Sequence, residues 1–330
     1  MKLVLFTDGD RKDLRPGVLV NSGVVDASAI VPPQQTPQLA IEHIINNFSA
    51  LKPILEQETW RGRVIPMEQV RLGPPLPKPG KLVCAGANYK EHADIASVPP
   101  LFLFLKNPDA VIGPGDVIEL PDHPEPYAFM HEAELALVVK GPAKRVSKDN
   151  WRSAIFGYTA MIDVTARGEG RRTWRMGGML GKSFDTFAPL GPCIVTADEI
   201  PDPNNMHVRF WNDGQLRHDY NTDDMLYRVP ELIEFITHVM TLHSGDVIAT
   251  GTNHEGLGFL QDGETVNIAI EGIGDMTLTV KDPLKRTWER GVYMGHDSTN
   301  HEAIRKNKEA GTHTALAIDP GKMSIQDLTR

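Results

Sequence analysis

Only two of the 330 residues are cysteine, Cys84 and Cys193, too few for a disulfide framework and at no spacing that would hold a metal. Each is expected to be a small buried hydrophobe, because unpaired cysteine is among the most buried residue types. Basic runs are also missing: 34 Lys and Arg stand against 43 Asp and Glu, a formal charge of −9. Nucleic-acid binding needs clustered Lys and Arg to displace counterions, so that class is excluded, and any anionic ligand must be held by locally concentrated positive charge. Long apolar runs are absent. The most compact, Leu101 to Leu105, falls far short of the ~20 residues a membrane span requires. Met1 to Phe6 carries one lysine and meets Thr7-Asp8-Gly9-Asp10 without a small-residue cleavage site. It reads as a first strand and turn, and the protein is expected in the cytoplasm. Neither an internal repeat nor a GxxxxGK[ST] phosphate loop is found.

What is present is an ordinary globular composition, 41% hydrophobic and 23% charged, in a chain long enough for one large domain and a smaller one. The stretch Arg71 to Gly80 holds four prolines, which favour an extended linker and mark a boundary. The expected division is a small α+β cap over 1–76, a main domain over 77–284 and a polar extension over 285–330. In the cap, strand-like Leu3 to Phe6 and Gly17 to Val20 precede a helix from Leu39 to Glu56, interrupted at Pro53. Beyond the boundary, short β segments follow one another: Lys81–Ala85, Ala133–Val139, Tyr158–Val164, Asp246–Thr250, Thr265–Ile270 and Met276–Val280. That density of strands predicts an α+β, mainly β architecture, mixed but mostly antiparallel. Two helices interrupt it. One is capped by Ser147, and one opens at Pro230 with Leu232, Phe235, Ile236 and Val239 on its apolar face.

In His131-Glu132-Ala133-Glu134-Leu135 the side chains of a strand alternate, so Glu132 and Glu134 share one face. Two carboxylates side by side are tolerable on a solvated face or around a cation. His131 falls on the opposite face and reads as a packing or supporting residue. The apolar run Tyr158 to Val164 carries a single acid, Asp163, which is either a turn former or a third ligand. Three carboxylates without nearby His or Cys ligands would suit Mg²⁺, Mn²⁺ or Ca²⁺ and not zinc, with Mg²⁺ the first choice.

Lys182 follows a glycine in Gly181-Lys182-Ser183-Phe184-Asp185, where backbone can approach a ligand closely; an ordinary surface lysine is the alternative. The apolar Val247-Ile248-Ala249 feeds Thr250-Gly251-Thr252 and a glycine-rich loop, either a ligand-binding strand end or a plain connection. In Asn88-Tyr89-Lys90-Glu91-His92, His92 is the candidate general base.

In order, Asn-Tyr-x-x-His at 88–92, Glu-x-Glu at 132–134, Asp-x-x-x-Arg at 163–167, Gly-Lys-Ser-Phe-Asp at 181–185 and Thr-Gly-Thr at 250–252 resemble the fumarylacetoacetate hydrolase family over about Lys81 to Pro283. The resemblance implies a rolled mixed β-sheet, a homodimer, and Mg²⁺ or Mn²⁺ on Glu132, Glu134 and Asp163. By the same resemblance, Lys182 neutralises a developing enolate, and Arg167, Thr252 and Tyr89 bind substrate. Lys106 approaches the pocket, and His92 activates water. The implied activity is hydrolysis of a C–C bond in a 1,3-dioxo acid, such as an acylpyruvate or an aromatic ring-cleavage product. Lyase, isomerase or tautomerase chemistry at the same metal, and metabolite binding without turnover, are the alternatives. The sequence departs from the family pattern in places. The glutamate the family places three residues after the motif histidine is Ile95, with Asp94 beside it as the replacement partner. Gly168 and Gly170 stand where an acid and a glutamine are expected, within the charged stretch Arg167-Gly168-Glu169-Gly170-Arg171-Arg172.

Overall fold

The computed structural model describes residues 1–9, 13–91, 98–123, 128–167, 179–294 and 300–310. Strands buried on both faces read as nearly continuous apolar runs, and Ala133–Val139 and Ile155–Ile162, both buried along their whole length, lie at the heart of a 12-stranded sheet. Ten of its strands run in the order Val64–Pro66, Gly23–Asp26, Arg15–Val20, Lys2–Asp8, Ala188–Thr196, Ile155–Ile162, Ala133–Val139, Val247–Ala249, Leu82–Gly86 and Phe102–Lys106, while Val70–Gly73 joins Lys2–Asp8 and Val111–Ile112 joins Ala188–Thr196 off this path. Along the path neighbours are antiparallel except Val247–Ala249, which is parallel to Leu82–Gly86. The predicted strand segments all appear, with ends shifted by a few residues. The mainly β, mixed architecture is the one found.

Two cores cover the faces of this sheet. On one face Leu135, Leu137 and Val139 meet Val208, Phe210, Ile268 and Leu278. These last come from a second, five-stranded sheet built by His207–Asn212, Gln215–Asn221, Thr265–Ile270, Gly274–Lys281 and Val117–Glu119. On the other face Ala136, Val138, Leu3, Leu5 and Ile194 pack on Ile41, Ile44, Ile45 and Leu55 of the helix Pro37–Arg61. Cys84 and Cys193 are fully buried, and burial holds both thiols above their usual range, Cys193 at about 11. Neither is a ready nucleophile.

The N-terminal strands are part of the large sheet: Lys2–Asp8 pairs with Ala188–Thr196 on one side and with Arg15–Val20 on the other. The proline-rich stretch is strand at its start, because Val70–Gly73 pairs with Lys2–Asp8. The long helix, expected to be interrupted at Pro53, runs through it to Arg61. Its non-helical residue is Asn47, at φ −114° and ψ 15°. A proline loses one amide bond and crowds the carbonyl four residues back, so the distortion falls upstream of it. Ser147 makes no side-chain cap, and Lys148–Ala154 is a 3₁₀ segment. In the helix Val229–Val239 the buried face is Val229, Leu232, Ile233, Ile236 and Thr237, whereas Phe235 and Val239 are exposed. The i, i+3, i+4 rhythm is correct and its phase is rotated by part of a turn. In the C-terminal extension Trp288 stacks on Phe259 at 5.5 Å and Tyr293 is buried, so this stretch is held against the core.

Gly157 tests the central sheet. A Cβ there would lie 2.3 Å from the Val195 carbonyl oxygen on the neighbouring strand, and that backbone cannot rotate aside. Gly157→Ala is expected to lower unfolding free energy by about 1–3 kcal/mol, read as a reduced midpoint in urea. An unchanged midpoint would contradict the pairing.

Candidate metal and substrate site

The hydrogen-bonded pairing of Ala133–Val139 with Ile155–Ile162 sets Ala133 opposite Ile162 and Glu134 opposite Met161. The same register resumes beyond a gap, where Ala128–Met130 pairs with Thr165–Arg167 and Met130 faces Thr165. In the gap the Asp163 amide donates to the Glu132 carbonyl at 2.8 Å. Glu132 and Asp163 are therefore cross-strand neighbours at the point where the chain leaves the large sheet. Like charges set opposite one another are destabilising. Here Glu132, Glu134 and Asp163 are buried, and one oxygen from each lies within 4.8 Å of the others.

Two ammonium groups answer this charge. Lys182 Nζ donates to Glu132 Oε2 at 2.7 Å, to Asp163 Oδ2 at 2.7 Å and to the Thr165 hydroxyl at 2.6 Å. Lys106 Nζ is bonded to Asp163 Oδ1 and donates to the Val164 carbonyl at 3.1 Å. Arg167 Nη2 lies 3.8 Å from Glu132 Oε1, and the Thr165 hydroxyl donates to that oxygen at 3.0 Å. Burial pushes the Lys182 ammonium down, yet Asp163 and Glu132 outweigh it and hold the group above its usual range. Burial and the Lys182 charge pull Lys106 below its usual range despite Asp163. Burial raises the Glu132 carboxyl, but Lys182, His254 and Arg167 bring it down to about 2.

Glu134 is the uncompensated member. Its one hydrogen bond among the described residues comes from the Gly251 amide, at 2.8 Å, and burial together with Asp163 and Glu132 raises its carboxyl well above the usual range. Gly251 makes this contact at φ +90°, and a Cβ there would lie 3.0 Å from the Ala85 carbonyl oxygen and from Asn88 Cβ. Glycine is required because only it takes this backbone and fits this space. An all-oxygen donor set with one anionic member lacking a cation fits a hard divalent ion such as Mg²⁺ or Mn²⁺. Burial excludes the wet strand face, and Asp163 is also at a tight turn, where the Val164 amide donates to the Ile162 carbonyl at 3.1 Å.

The remaining sequence candidates fall as follows. Tyr89 is buried, edge-on to Tyr220 with ring centres 4.9 Å apart. Thr252 is buried, and its hydroxyl donates to the Asn253 carbonyl at 3.3 Å. His131 packs as expected, stacking on Phe210 at 4.4 Å with Nδ1 2.9 Å from His218 Nε2. Burial drives both rings toward the neutral form, His218 to about 4. His92, Asp94, Ile95, Gly168, Glu169, Gly170, Arg171 and Arg172 lie outside the described residues. Sequence reading missed Thr165, His218 and the pair Glu91 and His254, whose Nδ1 is 2.5 Å from Glu91 Oε1. Partners this far apart in sequence carry no local signal, although Glu91 and His254 both sit within motif stretches.

Proteins resembling this one have been characterised by sequence and by structure. Residues 81–281 match the family described as fumarylacetoacetate (FAA) hydrolase C-terminal. A mitochondrial oxaloacetate tautomerase of Bos taurus is 34% identical over 268 residues, which is 76% of this chain and 82% of the relative. The crystal structure of maleylpyruvate hydrolase from Sphingobium sp. SYK-6 is similar with a TM-score of 0.76 at 33% identity, covering 86% of this chain and 100% of that one. A second structure of that hydrolase, with a TM-score of 0.75, contains manganese(II) ion and pyruvate. The 5-carboxymethyl-2-hydroxymuconate delta-isomerase of Mycobacterium smegmatis gives a TM-score of 0.67 at 32% identity, over 86% of this chain and 99% of that one.

A raised carboxyl makes Glu134 a source of pH-dependent instability in metal-free protein. Its neutral form is favoured by folding, so its contribution is full below the unfolded carboxyl value near 4.3 and is lost as pH rises toward the higher folded value. Glu134→Gln is expected to raise the melting temperature of chelator-treated protein at neutral pH. It should also abolish the stabilisation that millimolar Mn²⁺ confers on the wild type. A variant that melts lower without metal and still gains from Mn²⁺ would remove Glu134 from the ligand set.

Proposed function

Because this chain belongs to the fumarylacetoacetate hydrolase family, we propose that it is a divalent-metal-dependent enzyme that hydrolyses a C–C bond of a short 1,3-dioxo acid, the one joining the distal carbonyl carbon to the intervening methylene. The observation that carries this reading is the buried Glu132–Glu134–Asp163 cluster with Lys182 across two of its members. Glu132, Glu134 and Asp163 would hold Mg²⁺ or Mn²⁺, which when bound supplies a Lewis acid for the 2-oxo carboxylate portion of a substrate. Lys182 offers a fixed positive charge where enolate character develops, in a site too buried for water to screen it. Lys106 keeps Asp163 oriented through its bond to Oδ1. Arg167 retains an Nε without a partner among the described residues, a donor suited to the carboxylate of a substrate. Thr252 adds a hydroxyl at the mouth of the loop that carries Gly251. His92 is retained as the proposed water-activating base, with Asp94 beside it.

Tautomerisation of a 2-oxo acid is the second reading, favoured by the oxaloacetate tautomerase relative and by Ile95 in place of a glutamate partner for His92. Both reactions share the enolate and the need for Lys182, and differ in whether water is added.

Purified protein with Mg²⁺ or Mn²⁺ should convert a member of a panel of acylpyruvates, ring-cleavage dioxo acids and oxaloacetate. Product mass separates the readings, since hydrolysis splits the substrate with addition of water and tautomerisation leaves the mass unchanged. Lys182→Met, similar in length but uncharged, is expected to reduce kcat/KM by about 10²–10³-fold. Full activity in that variant would refute enolate stabilisation by Lys182.

A further inference from the structure

Three histidines lie near the metal cluster, and only one of them is backed by a carboxylate. His131 and His218 meet through one ring nitrogen each, while His131 Nε2 and His218 Nδ1 are buried without a partner among the described residues; burial holds both rings in the neutral form, and no carboxylate backs either of them. His254 differs. Its Nδ1 faces Glu91 Oε1 at 2.5 Å and its backbone amide donates to the same oxygen at 3.0 Å. The two side chains are only 3% exposed for Glu91 and 6% for His254. A carboxylate accepts but does not donate, so Nδ1 carries the proton and Nε2 is the basic nitrogen. Nε2 has no hydrogen-bond partner among the described residues.

Glu91 is placed for this contact at some cost. It adopts φ +55°, in the left-handed region that residues other than glycine rarely take. Its amide donates to Asp224 Oδ2 at 3.0 Å, and the Lys90 amide donates to the Asp224 carbonyl at 3.1 Å. Asn88 ties the same loop to the Thr250 carbonyl at 2.8 Å and to the Tyr227 carbonyl at 3.0 Å. The Asn-Tyr motif thus serves as a brace that sets Glu91.

The loop that carries His254 also touches the metal cluster. Three residues before it, Gly251 donates to Glu134. A few residues after it, Gly258 accepts from the His131 amide at 3.4 Å and Phe259 pairs with Met130, so the loop runs beside the segment that ends in Glu132.

We infer that His254 is the proton-transferring group at carbon in this site and that Glu91 is its positioning residue. The inference rests on the enolate reaction proposed above and adds to it the group that handles the carbon-bound proton. His254 Nε2 takes a proton from the carbon beside the substrate's 2-oxo group. The C–H electron pair becomes the C=C bond of the enolate, and the carbonyl π pair moves onto oxygen. The imidazolium, held by Glu91, then gives a proton back to carbon. In hydrolysis His92 takes a proton from the attacking water while the His254 imidazolium gives one to the carbon of the departing enolate, and solvent returns the His92 proton to His254.

The test follows exchange of carbon-bound protons, which reports enolisation whichever overall reaction is catalysed. Full-length protein loaded with Mn²⁺ or Mg²⁺ is incubated in D₂O with pyruvate or oxaloacetate, and deuterium at C3 is followed by NMR or, with Mn²⁺, by mass spectrometry. Wild type should exchange above the metal-only blank. His254→Gln should lower the rate by about 10²-fold or more, with Mn²⁺ affinity by calorimetry unchanged. Glu91→Gln should lower kcat for exchange at unchanged KM, and Glu91→Asp should recover part of it. Should His254→Gln not fold, the Glu91 pair decides by the same readouts. Undiminished exchange in the variants, or a loss shared between KM and Mn²⁺ affinity, overturns the assignment and leaves the proposed function standing. Wild type that binds Mn²⁺ but exchanges neither probe overturns the enolate reading, and the dyad with it.

Discussion

Three carboxylates buried on one antiparallel strand pair are the constraint on which the rest of this structure depends. Glu132 and Asp163 face each other across the pair, with Glu134 two residues on. An uncompensated buried charge costs several kcal/mol, so the surrounding elements are organised to answer it. The 3₁₀ segment Met179–Lys182 delivers one ammonium, and the edge strand Phe102–Lys106 delivers another. The strand end after Val247–Ala249 supplies a backbone amide through a glycine that no other residue could replace without strain. Compensation is incomplete at Glu134 alone, which is where the site asks for a cation of its own.

The same constraint explains the position of the site in the fold. The ladder between the two central strands is continuous in register, but its hydrogen bonding passes from the large sheet to the small pair Ala128–Met130 and Thr165–Arg167 at the acidic residues. Backbone released from a sheet can carry side chains that a flat sheet interior would not accommodate. Behind this opening the two apolar cores are rigid, so the carboxylates are held by elements that resist relaxation. In the proposed reaction the lysines that hold the acids in place would also provide the positive charge against which an enolate forms, so that one arrangement would serve both stability and chemistry.

Much of this arrangement was legible beforehand. Period-two alternation along Ala133–Val139 placed Glu132 and Glu134 on one side, and a lone acid in the apolar run to Ile162 marked Asp163 as unusual. The helix phase at Val229–Val239 was misread because Phe235 and Val239 fit the spacing as well as Val229 and Ile233 do; periodicity cannot tell which side a neighbouring element will cover. The expected interruption at Pro53 is met by a kink upstream, at Asn47, and Ile41, Ile44, Ile45 and Leu55 from both sides of it pack into one core.

The sequence by itself determined the class of fold, the family motifs and the all-oxygen character of the acidic cluster, because these follow from local alternation, residue chemistry and order along the chain. Only the tertiary structure decided that the carboxylates are buried and not wet, that Lys106 and Lys182 converge on Asp163 from segments 76 residues apart, and that Glu91 meets His254 across 163 positions. Burial and convergence depend on which strands become neighbours. That choice is made by the packing of the whole chain, to which no local pattern has access.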